Sequence, residues 1–157
     1  MSDTMDDTHW MQAALAEAQR AFDDEEVPIG CVIVARGRLL AKAHNQMRRL
    51  KDPTAHAEIL AITQAANALH SERLTDTTLY VTVEPCTMCI GAMFWARVER
   101  LVFGAAAAKA GACGSVIDLT TQERLNHHLT VVRGVLAQES GSVMTAFFEG
   151  LRKQGKG

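Results

Sequence analysis

Four residues in the middle of the chain have the types and the spacing of a metal-dependent hydrolytic site. Cys86 and Cys89 are separated by two residues, and His56 lies thirty positions before Cys86. One imidazole and two thiolates suit zinc better than magnesium or calcium, which prefer oxygen ligands. Three protein ligands leave the fourth tetrahedral position open for water, and Glu58 lies close enough in sequence to act on that water. The spacing predicts a catalytic zinc site for hydrolysis.

Other interpretations of the same residues exist. A Cys-x-x-Cys pair can be a redox pair, but such a pair does not need a His-x-Glu motif before it. A structural zinc site would require a fourth ligand, and Cys31 and Cys113 have no paired spacing with the others. Glu58 could be an exposed acid at a helix start rather than a proton shuttle. We favour the catalytic zinc site with Glu58 as the shuttle.

Composition indicates one globular domain over residues 1–157, with residues 1–7 and 154–157 frayed. The chain is 48% apolar and 22% charged, and no apolar run reaches the ~20 residues that span a bilayer. The acidic N-terminal stretch has no basic segment followed by an apolar core, so we expect no signal peptide and no membrane partner. Four cysteines without an export signal indicate reduced thiols and a cytoplasmic protein.

The charge distribution is more informative than the formal net charge of −2. Residues 1–35 hold eight acidic residues and one basic residue, whereas residues 36–51 hold six basic residues and no acidic one. This basic segment leads directly to His56, so it could attract a polyanion to the site. The alternative is a solvated strand edge on which Lys and Arg prevent aggregation.

Apolar periodicity predicts alternating helices and strands. A helix capped by Asp7 or Thr8 is followed by a hairpin, and the later strands alternate with helices. The predicted strands cover residues 29–34, 39–43, 79–83, 101–103 and 129–136. The predicted later helices cover residues 54–69, 86–97 and 142–153, with an irregular stretch over 104–126.

This order of elements predicts an α/β fold, a three-layer α/β/α sandwich around a five-stranded mixed sheet. The hairpin implies antiparallel pairing in the first half, and helical crossovers imply parallel pairing in the second. His56 and Glu58 fall in the first turn of one helix, and Cys86 and Cys89 in that of another. Helix N-termini favour thiolates, and both helices are expected to begin at the same end of the sheet.

The motifs at this point resemble a known family. His-Ala-Glu at 56–58 and Pro-Cys-Thr-Met-Cys at 85–89 resemble the zinc-dependent cytidine/deoxycytidylate deaminase superfamily. Four longer segments are similar to its bacterial tRNA-specific adenosine deaminase branch, and the resemblance extends from Trp10 to Phe148. These segments are residues 27–30, 52–59, 79–86 and 91–93.

The resemblance implies a cytidine-deaminase-like fold and the conversion of adenosine to inosine at the wobble position of a tRNA anticodon stem-loop. It further implies a homodimer with one Zn²⁺ per subunit, held by His56, Cys86 and Cys89. A zinc-activated hydroxide would attack C6 of a flipped-out adenine. Glu58 would protonate N1 and then the leaving amine.

The resemblance also implies substrate contacts on both sides of the metal ligands. Asn45 matches an asparagine that hydrogen-bonds the purine, and Lys109 matches a position that contacts the RNA. Two departures from the family pattern concern RNA recognition. Alanines stand at 106 and 107, where the family has an acid that reaches a ribose hydroxyl at 107, and Glu149-Gly150 stands where arginine is common. The remaining implied contacts are the pocket residues Val27, Pro28, Ile29, Ala57 and Pro85, and the RNA contact Phe148.

Two other functions remain open from the sequence. The alanines at 106 and 107 and the acidic balance are compatible with a deaminase of a free base or nucleoside, of the guanine or cytosine type. A non-catalytic, zinc-stabilised RNA-binding protein is the other alternative. Release of ammonia from free bases or nucleosides would identify the small-molecule deaminase. A Glu58→Ala change that leaves function intact would identify the non-catalytic RNA-binding protein.

Overall fold

A five-stranded mixed sheet forms the centre of the protein, in a computed structural model that describes residues 3–125 and 127–155. The strand order across the sheet is β2-β1-β3-β4-β5. The strands are β1 (Gly30–Ala35), β2 (Arg38–His44), β3 (Thr77–Val83), β4 (Arg100–Ala105) and β5 (Thr130–Arg133). The helices are α1 (Asp3–Asp23), α2 (Met47–Leu50), α3 (Ala57–Leu69), α4 (Thr87–Ala96) and α5 (Ala137–Lys153), and a 3₁₀ turn covers Leu119–Thr121.

The strand directions follow from the connections. β1 pairs antiparallel with β2 through a tight turn at Arg36 and Gly37, which both have positive φ, as such hairpins require. β1 is also antiparallel to β3, whereas β3, β4 and β5 are parallel to one another. Helix α4 supplies the crossover between β3 and β4. The predicted mixed sheet is therefore confirmed.

Helices cover both faces of the sheet, which confirms the predicted three-layer sandwich. One face packs against α3 and α4 around buried residues such as Ile33, Leu79 and Met93. The other face packs against α1 around Met11, Val32 and other buried side chains. Gly30 allows α1 to approach β1, because a Cβ there would collide with the α1 backbone. No helix in the described ranges is long and apolar enough to cross a membrane.

The topology brings three segments together at one edge of the sheet. Since β1 is antiparallel to both of its neighbours, β2 and β3 end at the edge where β1 begins. Gly30 pairs with His44, and the Gly30 N–H donates to Thr82 Oγ1 at 3.1 Å. The loops before β1, after β2 and after β3 therefore meet at this edge.

Several element boundaries differ from the sequence prediction. Helix α1 begins at Asp3, before the expected cap at Asp7 or Thr8, and the basic loop after β2 contains the short helix α2. Strand β5 is shorter than predicted, and α5 begins at Ala137 instead of Ser142. Residues 1, 2, 156 and 157 of the segments expected to fray lie outside the described residues.

Asp7, in the first turns of α1, forms ionic and hydrogen-bonding contacts with residues far along the chain. Arg100 donates to both carboxylate oxygens of Asp7 at 2.7 and 2.6 Å, and the Tyr80 hydroxyl donates at 2.8 Å. Burial would raise the pKa of Asp7, but the hydrogen bonds from Arg100 and Tyr80 outweigh it, and the pKa lies below its ordinary value. The expectation that residues 1–7 fray does not apply to Asp7, which is only 3% exposed.

Asp7→Asn is expected to lower the free energy of unfolding at pH 7 by about 2 kcal/mol, because Arg100 and Tyr80 lose a charged acceptor. The depressed pKa of Asp7 in the folded protein means that its stabilising effect is present above the unfolded pKa of about 3.9. This effect disappears as the pH falls through the folded pKa. Urea unfolding of both proteins across this pH range measures the difference, and a gap that stays constant with pH would contradict the assignment.

Candidate active site

The three proposed metal ligands and Glu58 lie at the N-terminal ends of α3 and α4. His56 and Cys86 are the N-cap residues, with extended backbone conformation, and their carbonyls accept the first helical hydrogen bonds. Glu58 is the second residue of α3, and Cys89 is the third residue of α4. The two helices begin where β2 and β3 end, so the fold brings the four side chains to one edge of the sheet. The predicted placement at the helix starts is thus observed.

The spacing of the ligand atoms fits one zinc ion. His56 Nδ1 lies 3.6 Å from Cys86 Sγ and 3.5 Å from Cys89 Sγ, and all three ligand atoms lie within 4.8 Å of one another. Zinc bonds of about 2.3 Å to sulfur and 2.0–2.1 Å to nitrogen, at tetrahedral angles, place N and S about 3.6 Å apart. Among the described residues, this is the group of His, Cys, Asp and Glu side chains with such geometry.

The two thiols have opposite pKa shifts. The hydrogen bond with Cys89, with further contributions from His56, lowers the pKa of Cys86 to about 3. The same hydrogen bond, together with burial, raises the pKa of Cys89. Because zinc ligates thiolates, zinc binding at this site would require Cys89 to lose its proton.

Glu58 is a buried acid next to the metal ligands. Its side chain is only 4% exposed, and burial raises its pKa to about 7, although backbone hydrogen bonding and His56 oppose this shift. An acid with a pKa near neutrality can both accept and donate a proton at neutral pH. Glu58 is enclosed by the protein, in contrast to a solvated surface acid, and its raised pKa suits a group that transfers protons.

A cavity of about 180 Å³ opens in front of Glu58. It is smaller than the ~300–1,000 Å³ typical of sites for drug-sized ligands, so it suits a single planar base better than a whole nucleotide. The wall residues come from the loop before β1, the segment after β2 and the start of α3. They are Val27, Ile29, Asn45, Met47, His56, Ala57 and Glu58.

Asn45 is held in place on the cavity wall. Its side chain is only 4% exposed, its Nδ2 donates to the Val27 carbonyl at 3.3 Å, and its Oδ1 accepts from the Met47 N–H at 3.3 Å. The Asn45 N–H donates to the Ile29 carbonyl at 3.1 Å. A fixed amide on the wall of an otherwise apolar cavity can orient a polar ring by hydrogen bonding.

Glu84 organises the loop beside Cys86. Its buried carboxylate accepts from the N–H groups of Ala107, Cys113 and Ser115 at 2.9–3.2 Å and from the Ser115 hydroxyl at 2.5 Å. Burial would raise the pKa of Glu84, but these hydrogen bonds hold it below the ordinary value. The Pro85 carbonyl accepts from Ala112 N–H, so the loop is joined to the chain directly before Cys86.

The structure brings together only some of the residues implied by the resemblance. Pro28 and Pro85 are buried beside the site but do not line the cavity. Lys109 is exposed on the loop that Glu84 holds, and Phe148 is partly exposed on α5, both outside the cavity lining. The residues that meet at the site are Asn45, Val27, Ile29, His56, Ala57, Glu58, Cys86 and Cys89.

Sequence reasoning missed two residues of this edge. Met47 lines the cavity, although it lies in the basic segment 36–51, for which only a polyanion-binding or strand-edge role was predicted. Glu84 lies between the predicted strand 79–83 and the predicted helix 86–97, and no role was predicted for it. An acid that directly follows the buried strand Thr77–Val83 and precedes Pro85 was a usable signal for a buried, hydrogen-bonded carboxylate.

The basic segment 36–51 is divided between two ends of the sheet. Arg36 lies in the β1–β2 turn, 3.3 Å from Asp76, and Arg38 begins β2. Lys42 lies within β2. Arg48, Arg49 and Lys51 lie in or directly after α2, next to the cavity residue Met47. The seven residues of β2 separate the two groups by about 20 Å. Only the second group can act at the cavity.

Known proteins are similar to this chain in sequence. The family model of the cytidine and deoxycytidylate deaminase zinc-binding region matches residues 4–105. A protein of Bacillus subtilis named tRNA-specific adenosine deaminase is 47% identical over 96% of this chain and 93% of its own length. One of Agrobacterium fabrum with the same name is 45% identical over 90% of this chain and 93% of its own length.

Solved structures give the same result. A structure from work on A-to-I editing by tRNA:A34 deaminases superposes with a TM-score of 0.84 at 46% identity, over 87% of this chain and 99% of that one. A guanine deaminase of Nitrosomonas europaea has a TM-score of 0.74 at 26% identity, over 87% of this chain and 81% of that one. The ligand cluster and the buried Glu58 agree with these matches. The chain therefore belongs to the cytidine and deoxycytidylate deaminase zinc-binding family.

Proposed function

We propose that the protein deaminates adenosine to inosine at the wobble position of a tRNA anticodon loop, with zinc as its cofactor. The observation that carries this proposal is the base-sized cavity, which has the buried Glu58 and the ligand residue His56 in its wall. The proteins named tRNA-specific adenosine deaminase, which match over nearly the whole chain, support the choice of substrate. A tRNA substrate implies a cytoplasmic enzyme.

The reaction consumes one water and releases one ammonia. Zinc held by His56, Cys86 and Cys89 would supply Lewis-acid activation of a water molecule by lowering its pKa. Glu58 accepts a proton from that water while the water oxygen bonds to C6 of the base, and it delivers the proton to N1. It then carries the second proton to the amino group, the C6–N bond breaks, ammonia leaves and the carbonyl of inosine forms.

The cavity residues orient the base for this chemistry. Val27 and Ile29 offer apolar contacts, and Met47 adds a flexible apolar contact. Asn45, fixed by its contacts to Val27 and Met47, is positioned to hydrogen-bond a ring nitrogen or amino group. A base enters such a cavity only when it is unstacked, as bases in single-stranded loops are.

Surface cations near the cavity would bind the RNA backbone. Arg49 and Lys51 are exposed beside the cavity, and Lys109 is exposed on the loop that Glu84 holds. Ala107 stands where relatives are expected to carry an acid, and its N–H is bonded to Glu84. The alanine side chain offers no acceptor for a ribose hydroxyl, but the backbone of Ala107 still joins the loop that carries Lys109 to Glu84. Stacking by the partly exposed Phe148 would add a contact of a different kind.

We further propose a homodimer with one zinc ion per subunit, formed through the outer surface of α4. Trp95 is 86% exposed and shares a groove of about 220 Å³ with Phe94 and Leu125. A tryptophan with this exposure is costly in water and is typical of an interface core. A second copy of the chain is the occupant that the family resemblance implies.

Trp95→Asp is expected to convert the dimer to a monomer, because it places a charge in the interface core. The measurement is light scattering after size-exclusion chromatography. Leu69→Asp, at the end of α3, changes another exposed apolar residue and serves as the matched control that stays dimeric. A Trp95→Asp protein that remains dimeric, or a monomeric wild type, would refute this interface.

The choice of substrate is tested by supplying the zinc-loaded protein with an anticodon stem-loop containing a wobble adenosine and, separately, with free adenosine, guanine and cytidine. We expect inosine in the RNA and no ammonia from the free compounds. Ammonia from a free compound without inosine in the RNA would favour the free-base alternative. The similarity to the guanine deaminase structure, at 26% identity, is the observation behind that alternative.

A further inference from the structure

Glu26 is a buried acid that the catalytic chemistry does not use. Its side chain is only 1% exposed, and it lies in the loop directly before the cavity residue Val27. Its Oε1 accepts from the Arg48 N–H at 3.1 Å, and its Oε2 accepts from the Arg49 N–H at 2.8 Å. A fully buried carboxyl group with both oxygens bonded to backbone N–H groups fixes the relative position of two chain segments.

The second segment is the four-residue helix α2. The first N–H groups of a helix have no partner within the helix, and the N-cap residue Gln46 forms no side-chain capping bond. Glu26 takes this role from a position 22 residues away from Arg48. The guanidinium of Arg48 also donates to the Glu25 carbonyl at 2.9 Å, which adds a third bond between the same two segments.

The two segments that Glu26 joins form neighbouring parts of the cavity wall. Val27 and Ile29 come from the loop that carries Glu26, whereas Asn45 and Met47 come from the segment that ends in α2. The carbonyls of Val27 and Ile29 accept hydrogen bonds from Asn45, so the two segments are in direct contact. A shift of α2 against this loop would move Asn45 and Met47 relative to Glu58.

We infer that Glu26 is a positioning residue that fixes Met47 and Asn45 in the wall of the base cavity, by tying α2 to the loop before β1. This inference rests on the proposed function, because the base that occupies the cavity is the target adenine. Glu26 does not touch the base. It acts through Arg48 and Arg49, whose N–H groups it binds, and so through the adjacent Met47.

The test compares Glu26→Gln with Glu25→Gln, the same chemical change at the exposed neighbouring residue. The glutamine carbonyl can accept from only one of the two N–H groups, and the glutamine NH₂ would face the other, which places a donor against a donor. We expect Glu26→Gln to reduce the single-turnover rate on a wobble-adenosine stem-loop about 100-fold, since small misplacements of a reacting group have effects of this size. Glu25→Gln is expected to match the wild type.

A binding measurement separates positioning of the base from a general loss of structure. The wild type should bind a stem-loop with adenine at the target position more tightly than one that is abasic there. Glu26→Gln should lose this preference, while the affinity for the abasic RNA, the zinc content and the melting temperature stay at wild-type values. If Glu26→Gln fails to fold, Glu26→Asp, which keeps the charge and shortens the reach, provides the same comparison.

The outcomes are distinct. Loss of the preference for adenine in either folded variant supports the inference. A wild-type rate and preference in the folded Glu26→Gln protein, or in Glu26→Asp where only that variant folds, overturns it. An equal loss of affinity for both RNAs assigns Glu26 a purely structural role and also overturns it. Absence of turnover by the wild type would refute the proposed function and is read separately from the variants.

Discussion

Replacement of Glu58 by glutamine is expected to reduce deamination by about 10³-fold or more while zinc remains bound, because general acid–base catalysis contributes roughly 10²–10⁴-fold. Glutamine has nearly the same shape as glutamate and can fill the same place in the cavity wall, but it cannot accept the proton of the attacking water. Glu58 is not one of the three ligand residues, so the zinc content should stay at the wild-type value. Burying a neutral amide costs less than burying a charge, so the protein should be at least as stable.

The control for this experiment is Glu72→Gln, which makes the same change at an exposed acid in the segment after α3. Its single-turnover rate and zinc content should both match the wild type. A Glu58→Gln protein that retains wild-type turnover would exclude Glu58 as the proton shuttle. Loss of zinc together with activity would indicate that Glu58 acts on the ligands instead of on the substrate.

Replacement of Cys86 by serine is expected to remove zinc, activity and part of the stability at once. Serine offers a hydroxyl that stays protonated near neutral pH, in contrast to the thiolate that zinc requires. Zinc affinity is coupled to folding, so the melting temperature should fall to that of the wild type stripped by a chelator. Zinc content by elemental analysis and melting curves with and without chelator measure these effects.

Cys113→Ala is the matched control, because Cys113 is a buried free cysteine that lies outside the ligand cluster. This variant should keep its zinc, and a chelator should lower its melting temperature as in the wild type. A Cys86→Ser protein with wild-type zinc content and a melting temperature that still responds to the chelator would contradict the three-ligand site.

The sheet and the ligand positions were predictable because their determinants are local. Buried strands such as Gly30–Ala35 are nearly continuous apolar runs, and the turn at Gly37 follows a common hairpin pattern. Because β2 and β3 run in the same direction, the helices that follow them must begin at one edge. His56 and Cys86 are the N-caps of those helices, so their proximity follows from the topology.

The remaining features depend on contacts between residues that are far apart in sequence. The pairing of Asp7 with Arg100 spans 93 positions, so no local capping signal predicts it. Glu26 and Glu84 bind backbone N–H groups 22 to 31 residues away, which no periodicity predicts. The basic stretch 36–51 is continuous in sequence and leads to His56, but β2 runs through its middle and places its two ends about 20 Å apart.

The most direct test of the proposed function is the position-resolved formation of inosine in a full-length tRNA with adenosine at the wobble position. The proposal predicts that zinc-loaded wild-type protein converts this adenosine and leaves adenosines in the paired stems unchanged. It also predicts that the conversion is lost after removal of zinc and regained when zinc is restored. Zinc-loaded, folded protein that produces no inosine in any tRNA or stem-loop with a wobble adenosine would contradict it.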